Sequence, residues 1–378
     1  MKNVDAETEF PNDAGSRIEG GNAAAYVNRV IAYSGKGDYD LAIADYTEAI
    51  RLDPDLAAAY ARRGRVYADK GDYERAAEDF TQVIRLNPDY ALAYNHRGIA
   101  YSDKGDYDLA IADFTEAIRL DPNLAAVYAN RGLAYSDKGD YKRAIADCNQ
   151  ALRLKPDYAL AYSNRGMAYS DKGSYKRAIE DLNRVIRLNP NNSDAYNNRG
   201  IAYHGKGDYE RAIEDFTQVI RLKPHDAFVY SSRGIAYSDN GDYDLAIADF
   251  TQVLRLNPDY ALAYNNRGIA YSDNGDYDLA IADYDKAIEL DPNLAAAYAN
   301  RGLAYSGKED YERAIEDSTQ AIRLEPEQAL TYTNRGLVYC RKGDYALAIA
   351  DFEAALRLNP DEAIARDRLE DAQWRREC

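Results

Sequence analysis

Arginine recurs every 34 residues, at Arg29, Arg63, Arg97, Arg131, Arg165, Arg199, Arg233, Arg267, Arg301 and Arg335. An aspartate follows each one sixteen residues later, from Asp45 and Asp79 through Asp317 and Asp351. Ten guanidiniums in register could form a basic ladder for an anionic ligand, or each could pair with its acid between packed helices. The matched acid favours pairing, in the same or the adjacent unit, and removing one partner of a partly buried pair costs up to ~3–5 kcal/mol. A second column carries amides: Asn28, Asn130, Asn164, Asn198, Asn266, Asn300 and Asn334, with Arg62, His96 and Ser232 at the same register in the other units. A side-chain amide presents donor and acceptor together, which is what an extended peptide backbone requires. Asn is a poor mid-helix residue, so its recurrence points to use rather than to helix formation. Three residues after each amide register stands an apolar side chain: Ile31, Ile99, Leu133, Met167, Ile201, Ile235, Ile269, Leu303 and Leu337, with Arg65 the exception.

Catalysis needs different residues brought together once, whereas this chain repeats the same residues ten times. His96, His204 and His225 have no ligand spacing and no accompanying Cys, and read as isolated surface histidines. Asp239-Asn240-Gly241-Asp242-Tyr243-Asp244 resembles a calcium loop superficially, but its Gly comes third and Phe250 stands where the closing glutamate belongs. No glycine-rich phosphate loop is present, and no Ser, His or Asp is singled out as part of a nucleophilic site. Cys148 reads as a buried thiol, Cys340 as a groove-facing one, and three unpaired cysteines fit a reducing compartment. The sequence is therefore read as non-enzymatic, with no cofactor and no metal.

The elements that must position these columns follow from the 34-residue unit, which runs ten times from Ala23 to Glu362. Within a unit, Tyr occupies positions 4, 11 and 17 throughout, and those columns hold 30 of the 35 tyrosines. The tyrosine abundance is therefore a statement about period. Position 20 is always Ala, 30 always Leu and 32 always Pro; position 8 is Gly except at Val30, and position 15 is Gly except at Glu309. Residues 4, 8 and 11 share one helical stripe and 17, 20, 24, 27 and 28 another, which predicts two amphipathic helices per unit. Between them, as at Gly105-Asp106, Gly suits the left-handed residue ending the first helix and Asp the N-cap of the second, a role Ser174 can also serve. Pro at 32 closes the second helix, Arg at 29 sits near its negative end, and Gly at 8 opposite Ala at 20 lets the pair approach closely. One such hairpin cannot bury its own stripes, so neighbours must stack.

The period of 34, with an aromatic at 4, Gly at 8, Tyr at 11, Ala at 20 and Pro at 32, resembles the tetratricopeptide repeat. That resemblance implies an all-α fold: an α-solenoid built as a right-handed superhelix of antiparallel helix pairs. It implies that first-helix positions 2, 5, 6, 9, 12 and 13 line a concave groove. The amides at position 6 and the apolar residues at 9, Ile201, Ile235 and Ile269 among them, are then the candidate peptide-binding residues. The amide row resembles the asparagine ladder of the O-linked N-acetylglucosamine transferases. The pentatricopeptide RNA binders, with a 35-residue period and a basic groove, fit less well. Position 7, usually Leu in the family, is Arg here. The carboxylate clamp of heat-shock co-chaperones is absent, since position 2 is never basic, position 5 never Lys and position 9 never Asn.

The ends should differ from the array. Residues 1–22 are rich in Gly, Asn, Asp and Glu and read as disordered, while 363–378 read as a capping helix whose Ile364 and Leu369 pack back on the tenth unit. Residues 91–122 and 261–292 differ at six positions and lie five units apart, which suggests growth by copying a five-unit block with its joint at Asn191-Asn192. A net charge of −17 argues against nucleic acid. No apolar run reaches the ~18 residues of a membrane span, and the start lacks a signal peptide, so a cytoplasmic location is expected. Three functional expectations follow: a scaffold for an extended peptide or partner helix of neutral to basic, partly apolar character; a self-assembling solenoid or homo-oligomer; and the targeting subunit of an enzyme complex with catalysis supplied in trans.

Overall fold

The computed structural model describes residues 38–377, so the expected disordered segment, the first helix of the first unit and Asn28 lie outside the described residues. The described chain is helical, with 20 helices and no strand. It divides into two compact units, Met1–Gly205 and Lys206–Cys378. In the first, four helical hairpins follow Tyr39–Leu52: Ala57–Asp69 with Tyr73–Leu86, Ala91–Lys104 with Tyr107–Leu120, Ala125–Asp137 with Tyr141–Leu154, and Ala159–Asp171 with Tyr175–Leu188; Ser193–Gly205 ends it. The second begins at Tyr209–Leu222 and carries four more: Ala227–Asn240 with Tyr243–Leu256, Ala261–Asp273 with Tyr277–Leu290, Ala295–Gly307 with Tyr311–Leu324, and Ala329–Lys342 with Tyr345–Leu358. Ala363–Glu377 closes the chain. Within each compact unit every helix packs on the next, and successive first helices also touch, which makes each an α-solenoid.

The turn glycines match their sequence signal, and the aspartates after them do so only in part. Gly105 adopts φ 92°, and the backbone N–H of Asp106 returns to the carbonyl of Tyr101 at 2.8 Å. Closing the first helix this way satisfies carbonyls that the helix end would otherwise orphan. Asp72, Asp140 and Asp310 accept backbone N–H bonds as N-caps, whereas Asp106, the other aspartates at this place and Ser174 make no side-chain cap bond. Glu309 is the one positive-φ residue other than Gly among the described residues, at φ 65°.

The core departs from the expected stripe in the first helix. Small residues three and ten places into each unit, such as Ala93 and Ala100, or Val127 and Ala134, are fully buried; the tyrosines at 4 and 11 mostly stay half-buried. In the second helix Ala110, Phe114 and Ala117 form the buried stripe as expected. Gly98 is needed because a Cβ there would lie 2.7 Å from the ring of Phe114, so its tightest neighbour is the aromatic at position 24 rather than Ala at 20. At Gly132, where Cys148 replaces that ring, the carbonyl of Ala144 at position 20 comes within 3.1 Å of the same point. The terminal helix packs through Ala365, Leu369 and Ala372. Ile364 is 49% exposed instead of packed, because it lies one residue, about 100° of helix, off that stripe.

Candidate functional site

Eight of the described repeats share one polar junction. Arg63 donates from Nε to Asp79 Oδ2 at 2.8 Å and from a terminal nitrogen to Asp79 Oδ1 at 2.7 Å. Its remaining nitrogen donates to Thr47 Oγ1 at 2.9 Å. Asp79 lies sixteen residues ahead and Thr47 sixteen behind, so the first helix of one hairpin is tied both to its own second helix and to that of the preceding hairpin. The same bidentate pair joins Arg97 to Asp113, Arg131 to Asp147 and Arg165 to Asp181 in the first unit. In the second unit it joins Arg233 to Asp249, Arg267 to Asp283, Arg301 to Asp317 and Arg335 to Asp351. The pairing expected from the sequence is therefore intra-hairpin. The third contact, to Thr, Asn or Asp at position 25 of the previous unit, was not read from the sequence, although that column is polar in every unit.

Tyr60 and Tyr67 flank the Arg63 guanidinium, with ring centroids 5.7 and 5.9 Å from its carbon, and the arrangement recurs at Arg97 and Arg267. This accounts for the half-buried tyrosine columns: the rings cover an ion pair rather than filling the centre of the core. The hydrogen bond to Asp79 raises the Arg63 pKa, as the bond to Asp283 raises that of Arg267. With its donors satisfied and its faces covered, this arginine column is structural.

The amide column is partly spent within the protein. In the first unit Asn130 donates to Asn95 Oδ1 at 3.1 Å, and Asn164 donates to the carbonyl of Ala129 at 3.0 Å. In the second, Asn300 donates to Asn265 Oδ1 at 3.0 Å, and Asn265 also donates to Asn266 Oδ1 at 3.2 Å. Position 6 of one first helix thus bonds position 5 of the first helix before it, a separation of 35 residues. Asn164 is only 5% exposed, which leaves it little surface for a ligand. Asn130, Asn198, Asn266, Asn300 and Asn334 are half-buried. Of the apolar residues at position 9, Ile201, Ile235 and Leu303 are exposed and Ile269 is half-buried.

Of three other sequence candidates, Cys148 lies as expected and His96 does not. His96 is buried, not on the surface, and its ring stacks on Phe80 of the preceding hairpin at 5.4 Å. Cys148 is fully buried, and burial pushes its thiol pKa up to about 12, far from any nucleophilic role. Cys340 packs partly buried beside the terminal helix, and burial raises its thiol too. Among the described residues no group of three His, Cys, Asp or Glu side chains is placed to hold a metal, and no helix is long and apolar enough to cross a membrane.

Sequence models described as tetratricopeptide repeat match residues 27–91, 62–125 and 232–295, and further models of the same repeat match 125–158, 167–207, 193–226, 283–316 and 301–371. The chain belongs to the tetratricopeptide repeat family. Proteins built from this repeat are generally interaction scaffolds rather than catalysts. Among solved structures, the Cut9–Hcn1 hetero-tetramer of the APC/C aligns over 92% of this chain and 87% of its own, with a TM-score of 0.51 at 18% identity. A tetratricopeptide repeat protein from Parabacteroides merdae aligns over 66% of this chain and 98% of its own, with a TM-score of 0.51 at 22% identity. Both likenesses are of fold. The comparison with curated proteins returned no match.

Proposed function

We propose that this tetratricopeptide repeat chain is a non-enzymatic scaffold that holds an extended peptide segment of a partner protein along its first helices. The observation that carries the reading is the amide row. Successive position-6 and position-5 side chains lie within hydrogen-bond reach of one another, as at Asn130–Asn95 and Asn300–Asn265. Asn130 and Asn300 each use one N–H on the position-5 carbonyl behind them and keep their own carbonyl and second N–H for a ligand backbone. In the first unit Asn130, Asn198 and Ile201 are offered; in the second, Asn266, Asn300, Asn334, Ile235 and Ile269. The apolar side chains favour a partner that is itself partly apolar, and the acidic chain favours one that is neutral to basic.

Asn266→Ala combined with Asn334→Ala is the informative variant, because neither amide donates across hairpins in the way Asn164 does. In a crosslinked pull-down the double variant should lose its recurrent partner by about tenfold, the scale of two hydrogen bonds, with Tm unchanged. Undiminished capture would sink the amide reading. A second reading, end-to-end self-association, draws on Trp374 and Ile364, which are 64% and 49% exposed on the terminal helix. A monomer mass in light scattering across concentrations would remove it.

A further inference from the structure

The edge of the solenoid formed by the turns inside the hairpins carries a repeating ion pair. A lysine at the end of one first helix reaches back thirty residues to an acid at the start of the preceding hairpin's second helix. Lys70 pairs with Asp40 at 2.6 Å, Lys104 with Glu74 at 3.8 Å and Lys138 with Asp108 at 2.5 Å. In the second unit Lys308 pairs with Asp278, and Lys342 with Glu312 at 3.2 Å. The same register at the next hairpin of the first unit joins Lys172 to Lys142. Two cations share this register here, as Lys206 and Lys176 do by sequence one repeat later, whereas Lys70, Lys104, Lys138, Lys308 and Lys342 each meet an acid.

A recess of about 480 Å³ opens at this point, lined by Lys138, Lys142, Arg143, Lys172, Asp108 and Asp140 with Tyr135, Tyr141 and Ile111 as apolar walls. Four cations and two carboxylates leave a charge of +2 on the lining. Lys138 is held by Asp108, and Arg143 by Asp140 while stacking 4.7 Å over Tyr135. The backbone N–H of Arg143 and its side chain hold the Asp140 carboxyl below the usual range, so that acid stays ionised and the helix end it caps is already satisfied. Lys142 and Lys172 are the two charges left over, and both are exposed.

The chain supplies its own control two hairpins earlier. A recess of about 440 Å³ is lined by Lys70, Gly71, Asp72, Tyr73, Glu74 and Lys104. These correspond by repeat to Lys138, Gly139, Asp140, Tyr141, Lys142 and Lys172. Five of the six positions carry the same residue, and the sixth exchanges Glu74 for Lys142. The earlier recess is therefore neutral and the later one is not. A like-charge pair costs stability that an acid at position 142 would restore, as it does at Glu74.

We propose that the recess around Lys142 and Lys172 is a docking site for a phosphorylated side chain in an extended segment of a partner protein. A phosphomonoester carries about −1.5 to −2 charges at neutral pH, which matches the +2 of the lining, whereas one carboxylate would leave half of it unpaired. The tyrosine and isoleucine walls suit the flanking side chains of a peptide. A nucleic acid would bring a long run of phosphates against a chain of net charge −17, and a two-lysine patch does not offset that repulsion. This site lies on the hairpin-turn edge and does not depend on the amide row.

The test uses the full chain and a fluorescein-labelled heptapeptide, a phosphoserine flanked on each side by Gly-Ser-Gly, beside its unphosphorylated twin. At low ionic strength, fluorescence anisotropy should show the phosphorylated peptide bound roughly tenfold more tightly, with the difference shrinking as salt is raised. Lys142→Glu should abolish the preference while Tm holds or rises, because it rebuilds the ion pair with Lys172. Lys172→Gln should weaken it without any gain in Tm. Glu74→Lys should convert the neutral recess into a further site and raise the stoichiometry by one. Equal affinity for the two peptides would overturn the proposal, as would a preference that survives Lys142→Glu. A labelled oligonucleotide that binds more tightly than the phosphopeptide would also overturn it.

Discussion

Replacing Arg267 by Met removes a charge and keeps an apolar stem of similar length, so it isolates the ionic part of the repeated junction. Arg267 and Asp283 are bidentate at 2.7 Å in both contacts, and their side chains are 18% and 9% exposed. Without the guanidinium, the Asp283 carboxylate stays nearly buried with no cation, and Thr251 loses the 3.0 Å bond that ties the preceding hairpin. Breaking one side of such a pair costs about 3–5 kcal/mol in fully buried settings, and the residual exposure of Arg267 places this case near 3 kcal/mol. Asp283→Leu should cost less, about 2 kcal/mol, because the stranded guanidinium retains Thr251, the faces of Tyr264 and Tyr271 and some solvent. The double variant Arg267→Met with Asp283→Leu leaves no unpaired charge, and should be more stable than the sum of the singles by at least about 2 kcal/mol. Because solenoids unfold by neighbouring repeats, the readout is hydrogen exchange of the 261–290 hairpin together with urea unfolding of the whole chain. Strict additivity, within about 0.5 kcal/mol, would show that the pair is not coupled and would refute the account of the junction.

Two further outcomes are expected. Glu309 holds φ 65° where the other turns use Gly, so Glu309→Gly should stabilise the 295–324 hairpin by about 0.5–1 kcal/mol, the left-handed strain less the extra chain entropy of Gly; slower hydrogen exchange there is the check, and an unchanged or faster rate rejects the strain. Cys148, with its thiol at about 12, should react with iodoacetamide at pH 8.5 about a thousandfold more slowly in the native protein than in urea. Peptide mapping of the Cys148 fragment reads this directly, and labelling at the unfolded rate would mean that the second helix of that hairpin opens freely.

The amino-acid sequence by itself determined whatever each unit repeats within its own 34 residues. The two helices, the Gly105-type turn, the buried Phe114 stripe and the sixteen-residue spacing of Arg and Asp all depend on local periodicity and on residues close in the chain. Each of these was legible because a helix of 3.6 residues per turn fixes which side chains share a face. Only the tertiary structure decided how one hairpin sits on the next. The stagger between hairpins brings residues together at separations of 30 and 35, offsets the 34-residue period does not reveal. It therefore set the Asn130–Asn95 bond, the burial of His96 against Phe80 and the bond of Arg63 to Thr47. It turned Ile364 outward, since the last helix packs on a hairpin surface by its Ala365, Leu369 and Ala372 stripe. The same stagger sets Lys172 and Lys142 around one recess, a juxtaposition of two lysines that are unremarkable when each is viewed in its own repeat.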